Sequence, residues 1–240
     1  MGRLIGALLL LGALSWADPV VKAGFESGDL AGWNDVGDTT SLVVPSLDGV
    51  SGPVILPTEG SYFGVVGSGP GDIGLDDVPD TGVLERSFVI LDPATLYFDW
   101  NFLTSEFTGD PTSPFLDTFQ VVLTRAGGPT FVLISGDVGG MVTFLTNQGL
   151  LHTMLGFSVI DDLGIEAPDG SVYLEQTGWN SYWFSVGAGS YTLSFRVGDE
   201  LDGSVDSALL VDNVTVPEPV GLALFSALAV AGIAARRRRR

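Results

Sequence analysis

The sequence contains no cysteine and only one histidine, His152, among its 240 residues. The lack of cysteine excludes disulfide bonds, thiolate metal sites and a Cys-His catalytic pair. A Ser-His-Asp triad would have to use His152, which lies in a weakly patterned apolar segment that is more typical of a structural histidine. The residues present therefore do not favour nucleophilic catalysis.

Basic residues are scarce between the two ends of the chain. Only Lys22, Arg86, Arg125 and Arg196 fall within residues 18–216, against 28 acidic residues, which gives a net charge of −24. Such a surface repels phosphate backbones, so no nucleic-acid partner is expected. It attracts cations such as Ca²⁺, which prefers carboxylate and carbonyl oxygens. Solubility or adaptation to salt explains the same charge equally well.

The N-terminus has the pattern of a signal peptide. Arg3 precedes an apolar stretch from Leu4 to Leu14, and Ser15 and Ala17 are the small residues that signal peptidase requires before its cleavage site. The apolar stretch is too short to span a membrane stably. We therefore predict that residues 1–17 are removed on export. The alternative is a buried N-terminal helix.

The C-terminus combines a proline pair, an apolar run and a basic end. Pro217-Glu218-Pro219 cannot continue a helix or a central strand, which predicts that the folded domain stops at Val216. Residues 220–235 are apolar, and the arginines of 236–240 can extend this short transmembrane segment by reaching the headgroups. The positive-inside rule then places the arginines in the cytoplasm and the body outside.

This order of Pro217-Glu218-Pro219, an apolar segment and terminal arginines resembles the PEP-CTERM sorting signal over residues 217–240. The resemblance implies recognition by exosortase, a membrane-embedded enzyme of Gram-negative bacteria that resembles a cysteine transpeptidase. It further implies anchoring, at least transient, in the bacterial inner membrane, and then a place at the cell surface or in the exopolysaccharide of a biofilm matrix. A plain membrane stop with a coincidental Pro-Glu-Pro is the alternative.

Strand-like alternation recurs through residues 18–216, without a sustained helical period. One strand places three aromatic residues on one face (Phe98, Trp100 and Phe102) and Asp99 and Asn101 on the other. A second strand turns four residues to the core: Tyr191, Leu193, Phe195 and Val197. A hairpin turn is expected at residues 126–129, and residues 139–154 are ambiguous. Many short strands separated by turns predict an all-β fold, an antiparallel β-sandwich.

Two segments sharpen the fold prediction. Residues 24–33, which read Gly-Phe-Glu-Ser-Gly-Asp-Leu-Ala-Gly-Trp, and residues 206–216 together resemble the two ends of the galactose-binding-like jelly roll found in many carbohydrate-binding modules. The resemblance implies neighbouring first and last strands and a structural Ca²⁺ between them, with Glu26 and Asp212 as carboxylate ligands. Alternatively, Glu26 caps a turn and Asp212 is solvated on an edge strand.

Aromatic residues suggest a ligand surface. Trp33 and Trp100 fit core positions, whereas alternation puts Tyr182 and Trp183 on opposite faces of one strand, so that at least one can be exposed. An exposed aromatic ring beside an amide can stack on a sugar. We therefore expect Trp179, Tyr182 and Trp183 to bind carbohydrate, with an ordinary sandwich core as the alternative.

The sequence as a whole predicts an exported, non-catalytic surface or matrix protein whose β-sandwich is carbohydrate-associated or adhesive. A secreted polysaccharide hydrolase that uses two carboxylates is the alternative. An acidic cleft would favour the hydrolase, and a filled sandwich would favour binding. Other acidic residues, including Asp199, Asp202 and Asp206, are interpreted as solvated turn carboxylates.

Overall fold

The computed structural model describes residues 20–37, 41–49, 52–69, 81–106, 117–160, 164–199 and 206–217. Within these ranges the chain forms strands and turns, with no helix. The strands assemble into an eight-stranded sheet, a seven-stranded sheet and two small two-stranded sheets. All strand pairs are antiparallel, which confirms the predicted all-β sandwich.

The eight-stranded sheet, sheet A, has the order β13-β16-β8-β19-β6-β3, with β1 also paired to β19 and β17 also paired to β8. Its strands are β1 (Val20–Lys22), β3 (Leu42–Val44), β6 (Phe63–Gly67), β8 (Ala94–Thr104), β13 (Ser158–Val159), β16 (Glu175–Gln176), β17 (Asn180–Val186) and β19 (Ser207–Pro217). The first and last strands are direct neighbours, as the resemblance to the jelly roll implied.

The seven-stranded sheet, sheet B, has the order β12-β11-β10-β9-β18-β7-β2. Its strands are β2 (Asn34–Asp35), β7 (Thr81–Ile90), β9 (Thr118–Arg125), β10 (Thr130–Asp137), β11 (Met141–Thr146), β12 (Gly149–Met154) and β18 (Gly189–Gly198). The predicted turn at residues 126–129 joins β9 to β10, and the ambiguous residues 139–154 form the β11–β12 hairpin. The chain passes between the sheets at each step from β1 to β3 and from β6 to β9, once from β12 to β13, and at each step from β17 to β19. Repeated crossing of this kind is typical of a jelly roll.

Aromatic side chains fill the space between the two sheets. Phe98, Trp100 and Phe102 of β8 are fully buried, which confirms the predicted inward face of this strand. Phe119 of β9 stacks on Phe102 with 4.5 Å between ring centroids, and Phe195 of β18 meets Phe98 edge to face at 5.2 Å. These rings join sheet A to sheet B, and burying them is a main source of the stability of the sandwich.

A second apolar cluster covers one part of the outer face of sheet A. There Phe63 of β6 and Leu210 of β19 are buried together with residues of two small sheets, such as Ile55 and Tyr173. The small sheets pair β4 (Leu47–Gly49) with β5 (Gly52–Ile55), and β14 (Ile165–Glu166) with β15 (Val172–Tyr173). The outer face of sheet A is therefore divided between a covered part and a part that meets solvent.

The predicted targeting segments lie outside the described residues, because residues 1–17 and 218–240 are not among them. Of the sorting motif, only Pro217 is described, and it ends β19 one residue beyond the predicted domain end at Val216. In the part of the chain that the structure covers, no helix has the length and apolar character needed to cross a membrane.

Candidate functional site

The uncovered part of the outer face of sheet A carries two rows of side chains. Directly opposite residues of antiparallel strands share a face, so register defines each row. The first row runs across β17, β8 and β19 through Trp183, Tyr97 and Thr215. The second row runs across the same strands through Ser181, Asp99 and Asp212. We call the exposed surface formed by Trp183, Tyr97, Ser181 and Thr215 the Trp183 face.

Trp183 is the prominent side chain of this surface, with 64% of its area exposed. Its neighbour Tyr182 lies on the opposite face of β17, as alternation predicts, and is buried against Phe98. Trp179 is half-buried, because its indole N–H donates to the carbonyl oxygen of Leu56 at 3.0 Å and its ring packs edge-on against Phe63. Of the three aromatic residues predicted to bind sugar, the structure therefore places only Trp183 at the surface.

Asp99 lies beneath the Trp183 face and is only 4% exposed. Its Oδ1 accepts hydrogen bonds from the Tyr97 hydroxyl at 2.7 Å and the Ser181 hydroxyl at 2.6 Å. Its Oδ2 accepts from the Thr58 hydroxyl at 2.8 Å and the Asn213 amide at 3.1 Å. Burial alone would raise the pKa of Asp99, but these hydrogen bonds outweigh it and lower the pKa, so the carboxylate is ionised at neutral pH.

Asp212 is the direct cross-strand neighbour of Asp99 and is 1% exposed. Its Oδ2 accepts from the backbone N–H groups of Thr58 at 2.6 Å and Glu59 at 2.9 Å, and its Oδ1 accepts from the N–H of Asn213 at 2.6 Å. Burial raises the pKa of Asp212 in spite of these donors, and the nearby charge of Asp99 acts in the same direction. The two neighbouring carboxyl groups therefore have pKa values that are displaced in opposite directions.

The Thr58 hydroxyl connects the two carboxyl groups. Its oxygen lies 2.8 Å from Oδ2 of Asp99 and 2.9 Å from Oδ2 of Asp212, yet a hydroxyl has a single proton to donate. The hydroxyl can therefore donate to only one of the two carboxyl groups at a time. When the pH falls, Asp212 is the first of the pair to take up a proton.

Glu26, the other predicted metal ligand, holds the same loop as Asp212. Residues 56–62 connect β5 to β6, and Oε2 of Glu26 accepts from the N–H of Ser61 at 2.8 Å. Gly60 permits the turn, because its φ of +68° is in the left-handed region that glycine tolerates. Glu26 and Asp212 therefore both fasten this loop. The alternative interpretation of Asp212 as a solvated residue on an edge strand is wrong, because Asp212 is 1% exposed and β19 lies between β8 and β6.

The hydrogen bonds of this loop occupy oxygens that the expected Ca²⁺ ion would need as ligands. Oδ2 of Asp212 already receives two backbone N–H groups and Oε2 of Glu26 one, so an ion between them would require the loop to turn these donors away. No group of three or more His, Cys, Asp and Glu side chains within the described residues could hold a metal ion. Ca²⁺ binding by Glu26 and Asp212 stays a prediction.

Two other sequence interpretations can be compared with the structure. Asp199 and Asp206 are buried at 5% and 8% exposure rather than solvated, and Oδ2 of Asp206 accepts from the N–H of Val172 at 2.8 Å, so their interpretation as solvated turn carboxylates is wrong. Asp202 lies outside the described residues. His152 is exposed on β12, where its Nδ1 lies 2.8 Å from the hydroxyl of Thr143.

The Asp99–Asp212 pair has one property of a hydrolase site, since glycosidases separate the pKa values of two nearby carboxyl groups. Both side chains are almost completely buried, however, and their oxygens are engaged by protein donors. A glycosidic oxygen could bond to either carboxyl group only by displacing the protein donors that now bind it. This pair therefore favours a structural role over hydrolysis.

The comparisons with known proteins found similarity among solved structures. No protein-family model matches the chain, and no curated protein matches it. Among solved structures, it is similar to TmCBM61 in complex with β-1,4-galactotriose, with 14% sequence identity and a TM-score of 0.41. The match covers 82% of this chain and 97% of that chain. It is also similar to the K3 cleaved adhesin domain of Lys-gingipain from Porphyromonas gingivalis, with 14% identity, 80% and 95% coverage, and a TM-score of 0.39. Likeness at this level says nothing of what this chain binds.

The loop geometry predicts an unequal effect of two alanine substitutions. Gly60 and Gly127 have nearly the same φ, +68° and +65°, and alanine costs roughly 1–2 kcal/mol in that region. A Cβ at Gly60 would lie 2.2 Å from the Glu26 carboxyl group, whereas a Cβ at Gly127 meets nothing within 4 Å. Gly60→Ala should therefore lower the free energy of unfolding by about 1 kcal/mol more than Gly127→Ala, because the Glu26 side chain must move away and lose its hydrogen bonds to the loop.

Thermal unfolding of both variants measures this difference. For a domain of this size, each kcal/mol corresponds to a shift of about 2–4 °C in Tm. Equal losses of Tm in the two variants would show that Glu26 does not fasten the loop.

Proposed function

We propose that this chain is an exported, non-catalytic surface or matrix protein of a Gram-negative bacterium, and that its β-sandwich binds polysaccharide through the Trp183 face. The exposed indole of Trp183 on the outer face of sheet A carries the proposal. The exposed indole presents a flat apolar face, and the apolar face of a pyranose ring is a suitable partner for it.

The surroundings of Trp183 support a sugar as that partner. The hydroxyl groups of Tyr97 and Ser181 lie on the same face as the indole and are oriented by Asp99. Hydroxyl groups that are fixed in this way can exchange hydrogen bonds with a sugar at the rim of a stacked ring. The sheet also supplies a rigid, preformed surface, which reduces the entropy lost on binding.

Charge supports an uncharged polysaccharide over an anionic one. Residues 177–195, which include the whole of β17, contain no acidic or basic residue. Asp99 is buried beneath the face, and the body as a whole is strongly acidic. A uronate or sulfate group placed on the Trp183 face would be repelled by this field, whereas a neutral hexose would not.

Removal of the indole should weaken the binding. We expect Trp183→Ala to weaken retention on neutral polysaccharides by roughly five- to thirtyfold, since stacking on a sugar contributes on the order of 1–2 kcal/mol. Its Tm should stay within about 2 °C of the wild type, because an exposed side chain contributes little to stability. Affinity electrophoresis through a panel of neutral and anionic polysaccharides measures the retention.

Val159→Ala is the matched control, because Val159 is 63% exposed and lies on β13 of the same sheet. It should leave retention unchanged. The proposal fails if the wild type is retained by none of the polysaccharides, or if Trp183→Ala is retained as strongly as the wild type.

Export rests on the sequence of the two ends and is also part of the proposal. Signal peptidase would cleave after Ala17, and exosortase would recognise Pro217-Glu218-Pro219 while residues 220–235 hold the chain in the inner membrane. The anchored body would then reach the cell surface or the extracellular matrix. The acidic composition of residues 18–216 suits that exposed position, because it keeps the domain soluble.

Cell fractionation and intact mass test this route together. The mature protein should begin at Asp18 and be found in the membrane or surface fraction. A chain that ends at Val216 should instead be released in soluble form, because it lacks the anchor. Recovery of full-length, unprocessed protein among soluble intracellular material would contradict the proposed export.

The proposal also includes a structural Ca²⁺ ion that is bound by Glu26 and Asp212. If it is bound, Ca²⁺ should raise the Tm, a chelator should reverse the increase, and Glu26→Gln should erase it. Asp92→Asn is a suitable control, because Asp92 is an exposed carboxylate far along the chain from this loop. A Tm that does not change with the chelator would count against the ion. The two carboxylates would then serve only to hold residues 56–62 by hydrogen bonds.

A further inference from the structure

Strand β12 is an edge strand whose side chains are exposed on both of its faces. It ends sheet B, and among the described residues it pairs only with β11. Leu150, Leu151 and Met154 are 64%, 54% and 58% exposed. Exposed edge strands are normally protected by charged side chains, proline or a bulge, and β12 contains none of these.

The backbone of β12 also has hydrogen-bonding groups directed away from sheet B. The N–H of Leu155 donates to Gly140 at 2.9 Å, and antiparallel pairs alternate between hydrogen-bonded and non-hydrogen-bonded types. The pairs Val142–Thr153 and Phe144–Leu151 are therefore hydrogen-bonded within the hairpin. The N–H and C=O groups of the intervening residues, Leu150, His152 and Met154, then point to the free edge.

Charge limits which partner can approach this edge. Residues 138–160 form the longest stretch of the sequence without Asp, Glu, Lys or Arg, in a body that carries a net charge of −24. A second copy of this acidic chain would be repelled at most of its surface, whereas two copies can meet at the β11–β12 hairpin at low electrostatic cost. A cationic partner, in contrast, would be drawn to the acidic surface elsewhere.

We propose that β12 pairs with β12 of a second copy of this chain, antiparallel about a twofold axis at His152. In this register Leu150 of one copy lies opposite Met154 of the other, so that one pair of apolar side chains is in contact on each side of the axis. The pairing also joins the two copies of sheet B into one continuous sheet. The outward N–H and C=O groups of Leu150, His152 and Met154 form the new ladder. Such a small interface is typical of weak association, which suits molecules concentrated on one surface.

The absence of cysteine from the chain permits a direct test. The twofold axis brings the two copies of residue 152 opposite each other, at about 5.5 Å between Cα atoms for a hydrogen-bonded pair, which a disulfide can bridge. The full chain carrying His152→Cys should therefore form a disulfide-linked dimer in its producing cells, seen on a non-reducing gel. Val159→Cys, at the similarly exposed Val159, is the collision control and should form at least about tenfold less dimer.

A second substitution checks the register. Leu150→Glu added to His152→Cys places a charge opposite Met154 of the other copy and should reduce the cross-linked dimer at least about fivefold, while Val132→Glu, on β10, should not. The wild-type chain, solubilised in detergent, should also show a mass that rises toward two copies with concentration. The proposal is overturned if His152→Cys cross-links no more than Val159→Cys, if Leu150→Glu has no effect, or if the adduct contains a different protein.

Discussion

The architecture of the outer face of sheet A depends on how two adjacent carboxyl groups, Asp99 and Asp212, are accommodated. Two ionised groups side by side on neighbouring strands would repel each other, and burial would make that repulsion worse. The structure solves this with an excess of donors, from the hydroxyls of Tyr97 and Ser181 to the backbone of residues 56–62. The loop is therefore held to the sheet by the same hydrogen bonds that make the carboxyl pair tolerable.

This constraint separates the two halves of the outer face. On one side of the carboxyl pair, the small sheets bury Phe63 and Leu210 in the second apolar cluster. On the other side, Tyr97 and Ser181 are held in fixed orientations by Asp99, and Trp183 is left exposed beside them. The surface proposed to bind sugar is thus a direct consequence of the buried network and not an isolated aromatic residue.

The fold could be predicted from the sequence because its signals are local. Alternation in β8 and β18 fixes which side chains point inward, and a glycine-rich turn fixes the β9–β10 hairpin. The burial of Asp99 could not be predicted in this way, because a two-residue period assigns it to the outer face but cannot show that residues 56–62 return to cover it. The same limit applies to the three aromatic residues of the predicted sugar site. Trp179 contacts Leu56 and Phe63, and Tyr182 contacts Phe98, so that only tertiary contacts distinguish these two residues from the exposed Trp183. Asp199 and Asp206 resembled solvated turn residues for the same reason.

The two exposed apolar surfaces of this molecule differ in kind, and the difference determines what each can bind. At the Trp183 face a ligand meets the outer faces of β17, β8 and β19, where side chains stand on the sheet and recognise it by stacking and hydroxyl contacts. At β12 the backbone itself is available along one edge, and a partner must be another extended strand. Because the two surfaces belong to different sheets, a pair of chains joined at β12 would present two Trp183 faces at once. Weak contacts to a repeating polysaccharide would then reinforce one another. Once the first Trp183 face is bound, the second binds the same polysaccharide without a further loss of translational and rotational entropy.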